Sequence, residues 1–176
     1  MVEIKQMTLD EFLTLPESVM PTEYIDNEVI MSPAPPPRHQ VVLRLLVFHV
    51  NSLASGGELI FAPADVLLGN HILQPDLFWI RADGDCVIQK NLWQGAPDLV
   101  VEVLSPSTAR FDRGRKYEIY EAAGVREYWL VDPDAEFVEV YVRDGQKFAR
   151  LGLYDSDDTF TSSLLGAVTV RPMFED

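Results

Sequence analysis

The sequence predicts an α/β fold, on three observations. The run Leu99-Val100-Val101-Glu102-Val103-Leu104 is apolar and β-branched apart from one acid, and reads as a central strand covered on both faces. Apolar residues recur at helical spacing from Arg38 to about Ala54, and a second helix is expected from about Asp112 to Ala123. A chain of 176 residues with 47% hydrophobic content is long enough for one well-packed core and short for two, so the reading is one domain spanning residues 1–176.

Each element has a local signal. Thr8-Leu9-Asp10-Glu11 has capping-box spacing ahead of Phe12, Leu13 and Leu15, which predicts a short opening helix before Pro16. Glu23-Tyr24-Ile25 and Val29-Ile30-Met31 flank Asp26-Asn27, residue types that tolerate the positive φ of a tight turn, so a hairpin follows. Ser32 to Pro37 is too proline-rich for a helix interior or paired strand and reads as an exposed, extended loop. The long helix after it, with Val41, Val42, Leu45, Leu46, Phe48 and Leu53 at helical spacing, ends at Gly56-Gly57 and covers one sheet face. Strands are expected near Leu59 to Leu68, Gln74 to Ile80 and Asp98 to Leu104, and Gly124 stops the second helix. Glu127 to Asp132 is the next strand, closed by Pro133. Phe137 to Arg143 and Lys147 to Tyr154 are joined at Asp144-Gly145, a strong hairpin signal.

Composition narrows the function classes. No apolar stretch approaches about 18 residues and Met1 to Gln6 lacks a signal-peptide core, so a soluble cytoplasmic protein with no membrane partner is expected. The single cysteine, Cys86, excludes an internal disulfide and a cysteine-rich zinc site. A formal charge of −14 opposes a surface that binds nucleic acid without specificity, because phosphate neutralisation dominates that affinity. The basic residues are nevertheless uneven: Arg110, Arg113, Arg115 and Lys116 supply four of the 14 Lys and Arg. Arg110 and Arg113 fall near a helix start, where the macrodipole disfavours positive charge, so helix stability does not explain them.

The chemistry centres on Glu102. A carboxylate in a fully covered strand costs several kcal/mol in desolvation unless a partner or a metal ion compensates it. An ordinary salt bridge is one answer. The other is a constellation: Asp76 after Pro75 at a strand start, Glu102 on the next core strand, and Lys116 on the helix that follows. Two carboxylates and an ammonium suit metal-assisted phosphodiester hydrolysis, with Asp76, Glu102 and the main-chain carbonyl of Val103 as ligands to Mg²⁺, or to Mn²⁺ as its substitute. Lysine would orient or help deprotonate the attacking water. Asp112, Lys116 and Tyr120 stand at i, i+4 and i+8 and so share one helix face.

Several segments together carry a family resemblance: Glu23-Tyr24-Ile25-Asp26, Met31-Ser32-Pro33 followed by His39, Gln74-Pro75-Asp76-Leu77, Pro97 through Glu102 to Ser105-Pro106-Ser107-Thr108, and Lys116 through Glu127-Tyr128-Trp129-Leu130-Val131-Asp132-Pro133. The chain resembles the PD-(D/E)XK nuclease superfamily and, within it, the bacterial Uma-type family. That resemblance implies a restriction-endonuclease-like fold, a central mixed sheet flanked by helices with an added C-terminal hairpin, together with divalent metal and DNA cleavage. It assigns the first acidic position to Asp76 and the second to Glu102. The superfamily pattern expects lysine two positions after Glu102, where this chain has Leu104, so Lys116 is the candidate for a migrated lysine. Asn27 stands where the family usually has glycine, and asparagine serves such a turn.

The neighbours are weighed individually. Asp98 lies four residues from Glu102 on one strand, roughly 13 Å away, too far to share an ion, which gives it a structural role. Glu23 is either an outer metal contact or a hairpin surface charge. His39 either touches phosphate or is a satisfied, half-buried histidine. Tyr120 is read as packing, as are Trp79, Trp93 and Trp129, and Ser105, Ser107 and Thr108 cap a helix or end the strand. Three functions remain: a Mg²⁺-dependent DNA endonuclease, acting as a homodimer so that two sites meet two strands; a catalytically degenerate nucleic-acid or protein binding or regulatory module on the same fold; and a glycosidase using Asp76 and Glu102, against which the lysine and the family resemblance argue.

Overall fold

The computed structural model describes residues 3–16 and 20–175; Met1 and Val2, at the head of the N-terminal segment discussed above, lie outside them. β1 (Glu3–Gln6) leads into α1 (Leu9–Leu13), where the Thr8 hydroxyl accepts from the Glu11 amide and the Glu11 carboxylate accepts from the Thr8 amide at 2.7 Å. The hairpin of β2 (Thr22–Ile25) and β3 (Glu28–Met31) turns on Asp26 and Asn27, both at positive φ, 52° and 64°. Asparagine tolerates this left-handed backbone, so the turn stands without glycine. The proline loop then opens α2 (Pro37–Leu53), which is capped at Ala54. Gly57, at φ 77°, lies where a Cβ would run into the Ile80 carbonyl.

One expected strand is divided between two sheets and another is shortened. The stretch from Leu59 to Leu68 is β4 (Glu58–Phe61) and β5 (Val66–Leu68); the stretch from Gln74 to Ile80 is preceded by β6 (His71–Leu73) and holds only β7 (Leu77–Ile80). Pro63 and Pro75 stand at these crossings, and proline has no amide to continue a ladder. Asp76 therefore sits on a connector and not on a strand. A short hairpin, β8 (Val87–Gln89) with β9 (Leu92–Gln94), has no counterpart in the sequence reading. β10 (Leu99–Val103) is the expected central strand, buried at every position. The next helix starts earlier than expected and is composite: α3 (Ala109–Phe111), a π-helical turn (Asp112–Lys116), and α4 (Tyr117–Ala123), stopped at Gly124 in the left-handed conformation. Then come β11 (Glu127–Asp132), β12 (Phe137–Asp144) and β13 (Lys147–Asp155), followed by a second unforeseen hairpin, β14 (Thr159–Ser162) with β15 (Gly166–Thr169).

Among the described residues, six strands form a mixed sheet in the order β13-β12-β11-β10-β7-β4, with β10 and β11 parallel, and seven form a second sheet in the order β1-β3-β2-β6-β5-β9-β8. Alternation along β10 sends Leu99, Val101 and Val103 to one face, against Val42, Leu46 and Val50 of α2 and Val168 of β15. Val100 faces the other way with Leu104, Tyr120 of α4 and Ile25, Val66 and Leu73 of the second sheet. The second sheet and α4 thus pack on the same side of the first. α1 covers the outer face of the second sheet, where Phe12 meets the Tyr24 ring. Glu102, between Val101 and Val103, consequently points into the space between the sheets and beneath the composite helix.

The end of that helix is tied down by a carboxylate. Glu121 accepts from Lys147 Nζ and from the Phe148 amide, each at 2.7 Å, while Arg143 donates to the Glu121 carbonyl at 2.8 Å. The hydrogen bonds from Lys147 and Phe148 hold the Glu121 carboxyl below its ordinary value of 4.5. A lowered carboxyl stabilises the fold above the unfolded value and loses that stabilisation as pH falls through the folded one. The wild type should therefore exceed Glu121→Gln in thermal midpoint above pH 4.5 and lose that margin on acidification below it. A margin that persists unchanged at low pH would contradict the assignment.

Candidate active site

The space between the sheets holds a charged cluster built from the connector before β7, from β10, from the composite helix and from the β2–β3 hairpin. The antiparallel register of β7 and β10 pairs Leu77 with Val101, so one residue further places Asp76 beside Glu102. The Val103 amide closes this end, donating to Asp76 Oδ2 at 2.8 Å. From the helix, Lys116 Nζ lies 3.2 Å from Glu102 Oε1 and 3.2 Å from Asp112 Oδ1; from the hairpin, Glu23 Oε1 lies 2.9 Å from the same nitrogen. The helical spacing that predicted a shared face for Asp112, Lys116 and Tyr120 holds across the π-turn: the Tyr120 hydroxyl also donates to Glu102 Oε1, at 2.8 Å.

Glu23 is not the hairpin surface charge that was one of its two readings. Its carboxylate is buried, accepting from the Gln74 amide at 2.9 Å as well as pairing with Lys116. Tyr120 packs as expected but also serves the site. His39 is 5% exposed; its Nε2 meets Asp76 Oδ2 at 3.1 Å, and its Nδ1 is buried without a hydrogen-bond partner. It is thus more deeply buried than the half-buried histidine expected, and is not fully satisfied. Asp98 keeps its structural role, pairing with Arg81 and Arg126 at 2.9 and 3.1 Å. Ser105 Oγ accepts from the Thr108 amide at the start of α3, and the three tryptophans lie in or against the two cores.

The basic run is largely spoken for. Arg113 pairs with the buried Glu139, Arg115 clasps Asp26, Glu28 and the Ile25 carbonyl of the hairpin, and Lys116 is inside. These ion pairs account for Arg113, Arg115 and Lys116, and those of Arg115 hold the hairpin over the cluster.

The electrostatics follow from burial and from number. Burial pushes the Glu102 carboxyl well above the carboxylate range; Lys116 pulls it back, and Asp112, Asp76 and Glu23 push it up again. Burial likewise raises Asp112, to about 6, against the pull of Lys116. Burial would lower the Lys116 ammonium, but Glu102, Glu23 and Asp112 outweigh it and keep the lysine charged well above its usual range. Three carboxylates touching one ammonium leave an excess of negative charge in a low-dielectric space, which only a proton or a further cation can balance. Among the described residues, no group of three or more His, Cys, Asp or Glu side chains is arranged to hold a metal ion. The available set is smaller: Asp76 and Glu102, each with one oxygen outside the bonds above, plus the Val103 carbonyl.

A family model described as Uma2, putative restriction endonuclease, matches residues 9–171. Among solved structures, the fold is similar to that of a putative nuclease belonging to DUF820 from Anabaena variabilis, with a TM-score of 0.78 and 25% sequence identity over 96% of this chain and 97% of that one. No curated protein matches. No helix is long and apolar enough to cross a membrane among the described residues.

Proposed function

We propose, from the premise that this chain belongs to the Uma2 putative restriction endonuclease family, that it is a Mg²⁺-dependent DNA endonuclease with its site at Asp76, Glu102 and Lys116. The observation that carries the reading is the charge imbalance: a buried ammonium shared by Glu102, Asp112 and Glu23, with Asp76 alongside. The residues present fit a divalent cation. Their donors are hard oxygens, Asp112 Oδ1 is buried beside the Lys116 ammonium without a hydrogen bond, and a two-carboxylate site keeps positions for water and phosphate, as Mg²⁺ prefers. Asp76, Glu102 and the Val103 carbonyl would hold the cation. When bound it would supply Lewis acidity toward the phosphoryl oxygens and a more acidic bound water. Lys116, held as the ammonium, would orient the attacking water and offset charge on the phosphorane, with Asp112 and Glu23 fixing its Nζ. Tyr120 would hold Glu102 in its rotamer. We take residues 1–176 as a single domain, cytoplasmic, and a two-fold dimer as the arrangement that serves two strands.

The deciding experiment is a cleavage assay over plasmid, linear, branched and single-stranded DNA with Mg²⁺ or Mn²⁺, and again with chelator. Metal-dependent cleavage is expected. The same ions should raise the thermal midpoint, because a ligand of the folded state alone stabilises it by mass action. Glu102→Gln should remove most of that rise, and an intact rise in that variant would make Glu102 a structural charge. One observation favours a second reading, the catalytically degenerate binding module: the Lys116 side chain is only 6% exposed and bonded on three sides. Turnover separates the two.

A further inference from the structure

His39 is a buried group that the proposed chemistry does not use. It enters from the first turns of α2, the layer packed on the far face of the six-stranded sheet, and reaches Asp76 where that sheet ends. Asp76 Oδ2 already accepts from the Val103 amide, so it is the acceptor side of a carboxylate and His39 Nε2 is the donor. Both bonds fall on the same oxygen. Two donors from separate elements fix the plane of the carboxylate and leave Oδ1 unclaimed.

The histidine bears a cost for this. With Nε2 donating, Nδ1 is left buried with no partner in either protonation state, and an unpaired buried polar atom is unfavourable by about 1–3 kcal/mol. An apolar residue at this position would avoid that cost, as would the exposed face of α2. Nothing in the packing of α2 requires an imidazole, since Val42, Leu43, Leu46 and Val50 carry its apolar contacts.

We infer that His39 is a positioning residue, whose Nε2–H orients the Asp76 carboxylate for a divalent cation. The inference rests on the proposed metal-dependent function and adds to it an outer partner for a ligand. Partners that orient metal ligands typically account for about 10–100-fold in metal affinity.

The test measures Mn²⁺ affinity by calorimetry, beside metal-free melting curves, for wild type, His39→Ala and His39→Gln. The side-chain amide introduced by His39→Gln can present an N–H near the position of Nε2. Mn²⁺ affinity should fall about 10-fold or more in His39→Ala and return to within about 3-fold of wild type in His39→Gln. Unchanged affinity in His39→Ala overturns the assignment. So does equal weakness in both variants, which would mean that ring packing and not the donor matters. If His39→Ala does not fold, His39→Gln alone decides: wild-type-like Mn²⁺ affinity supports the donor role, and a loss of about 10-fold or more rejects it. A wild type that takes up no Mn²⁺ overturns the metal-dependent reading itself, and that failure is distinguishable because it appears before any substitution.

Discussion

Lys116→Ala is expected to lower metal-dependent DNA cleavage by about 10² or more, the scale on which a positioned donor that stabilises transition-state charge contributes. The same substitution strands Glu102, Asp112 and Glu23 without their shared cation, and breaking a buried pair in this way costs about 3–5 kcal/mol. From sequence, folding and catalysis were separable consequences of this substitution, one belonging to a catalytic lysine and the other to a structural one. The geometry joins them, because the nitrogen that would act on water is the same nitrogen that neutralises the cluster. The measurement must therefore be made on protein kept folded, at low temperature and with Mn²⁺ at saturation, with melting curves recorded in parallel. A variant that is folded yet cleaves at the wild-type rate rejects Lys116 as the catalytic lysine. A variant that loses stability while a folded wild type never cleaves moves the protein to the binding-module reading.

The parts of the site that were legible from sequence are those that break a local rule. Glu102 interrupts an apolar run that reads as covered on both faces, so its burial follows from six residues, whereas its side of the sheet does not. Lys116 was chosen through the family resemblance, and spacing placed Asp112 and Tyr120 on its face, because residues four apart meet on α-helix and π-turn alike. Glu23 was ambiguous for a physical reason. An acid on a short hairpin strand is exposed or buried according to what the hairpin pairs with, and that depends on β2 meeting β6, some 48 residues along at Tyr24 and Ile72. The same remoteness hid the second sheet. β5, β6, β8 and β9 have three residues each, too few for alternation to register, and they were read as parts of longer strands or as loop. His39 carried no sign of its partner, since a lone histidine at a helix start is compatible with any neighbour.

Glu127 shows where pattern reading stops, and its expected effect on stability is as large as that of Lys116. The residue begins β11 and was given no role from sequence, yet it is fully buried. Its carboxylate accepts from Ser163 Oγ at 2.6 Å, the Ser163 amide at 2.7 Å, Ser162 Oγ at 2.8 Å and Trp129 Nε1 at 3.2 Å. Ser162 Oγ in turn accepts from the amides of Leu164 and Leu165, so the carboxylate organises the turn between β14 and β15. That hairpin supplies Phe160, Val168 and neighbouring apolar residues to the core under α2. Glu127→Ala would leave buried donors unpaired, each unfavourable by about 1–3 kcal/mol, and with partial entry of water the total should be about 4 kcal/mol. At about 2–4 °C per kcal/mol for a chain of this size, the thermal midpoint should drop by roughly 10 °C or more. Ser163→Ala removes only one hydroxyl donor and should cost about 1 kcal/mol. If the two variants melt together, near the wild type, the carboxylate does not hold the hairpin and its burial has some other compensation. If Glu127→Ala alone melts early and amide exchange quickens first in residues 159–169, the hairpin is latched to the central sheet through this one side chain.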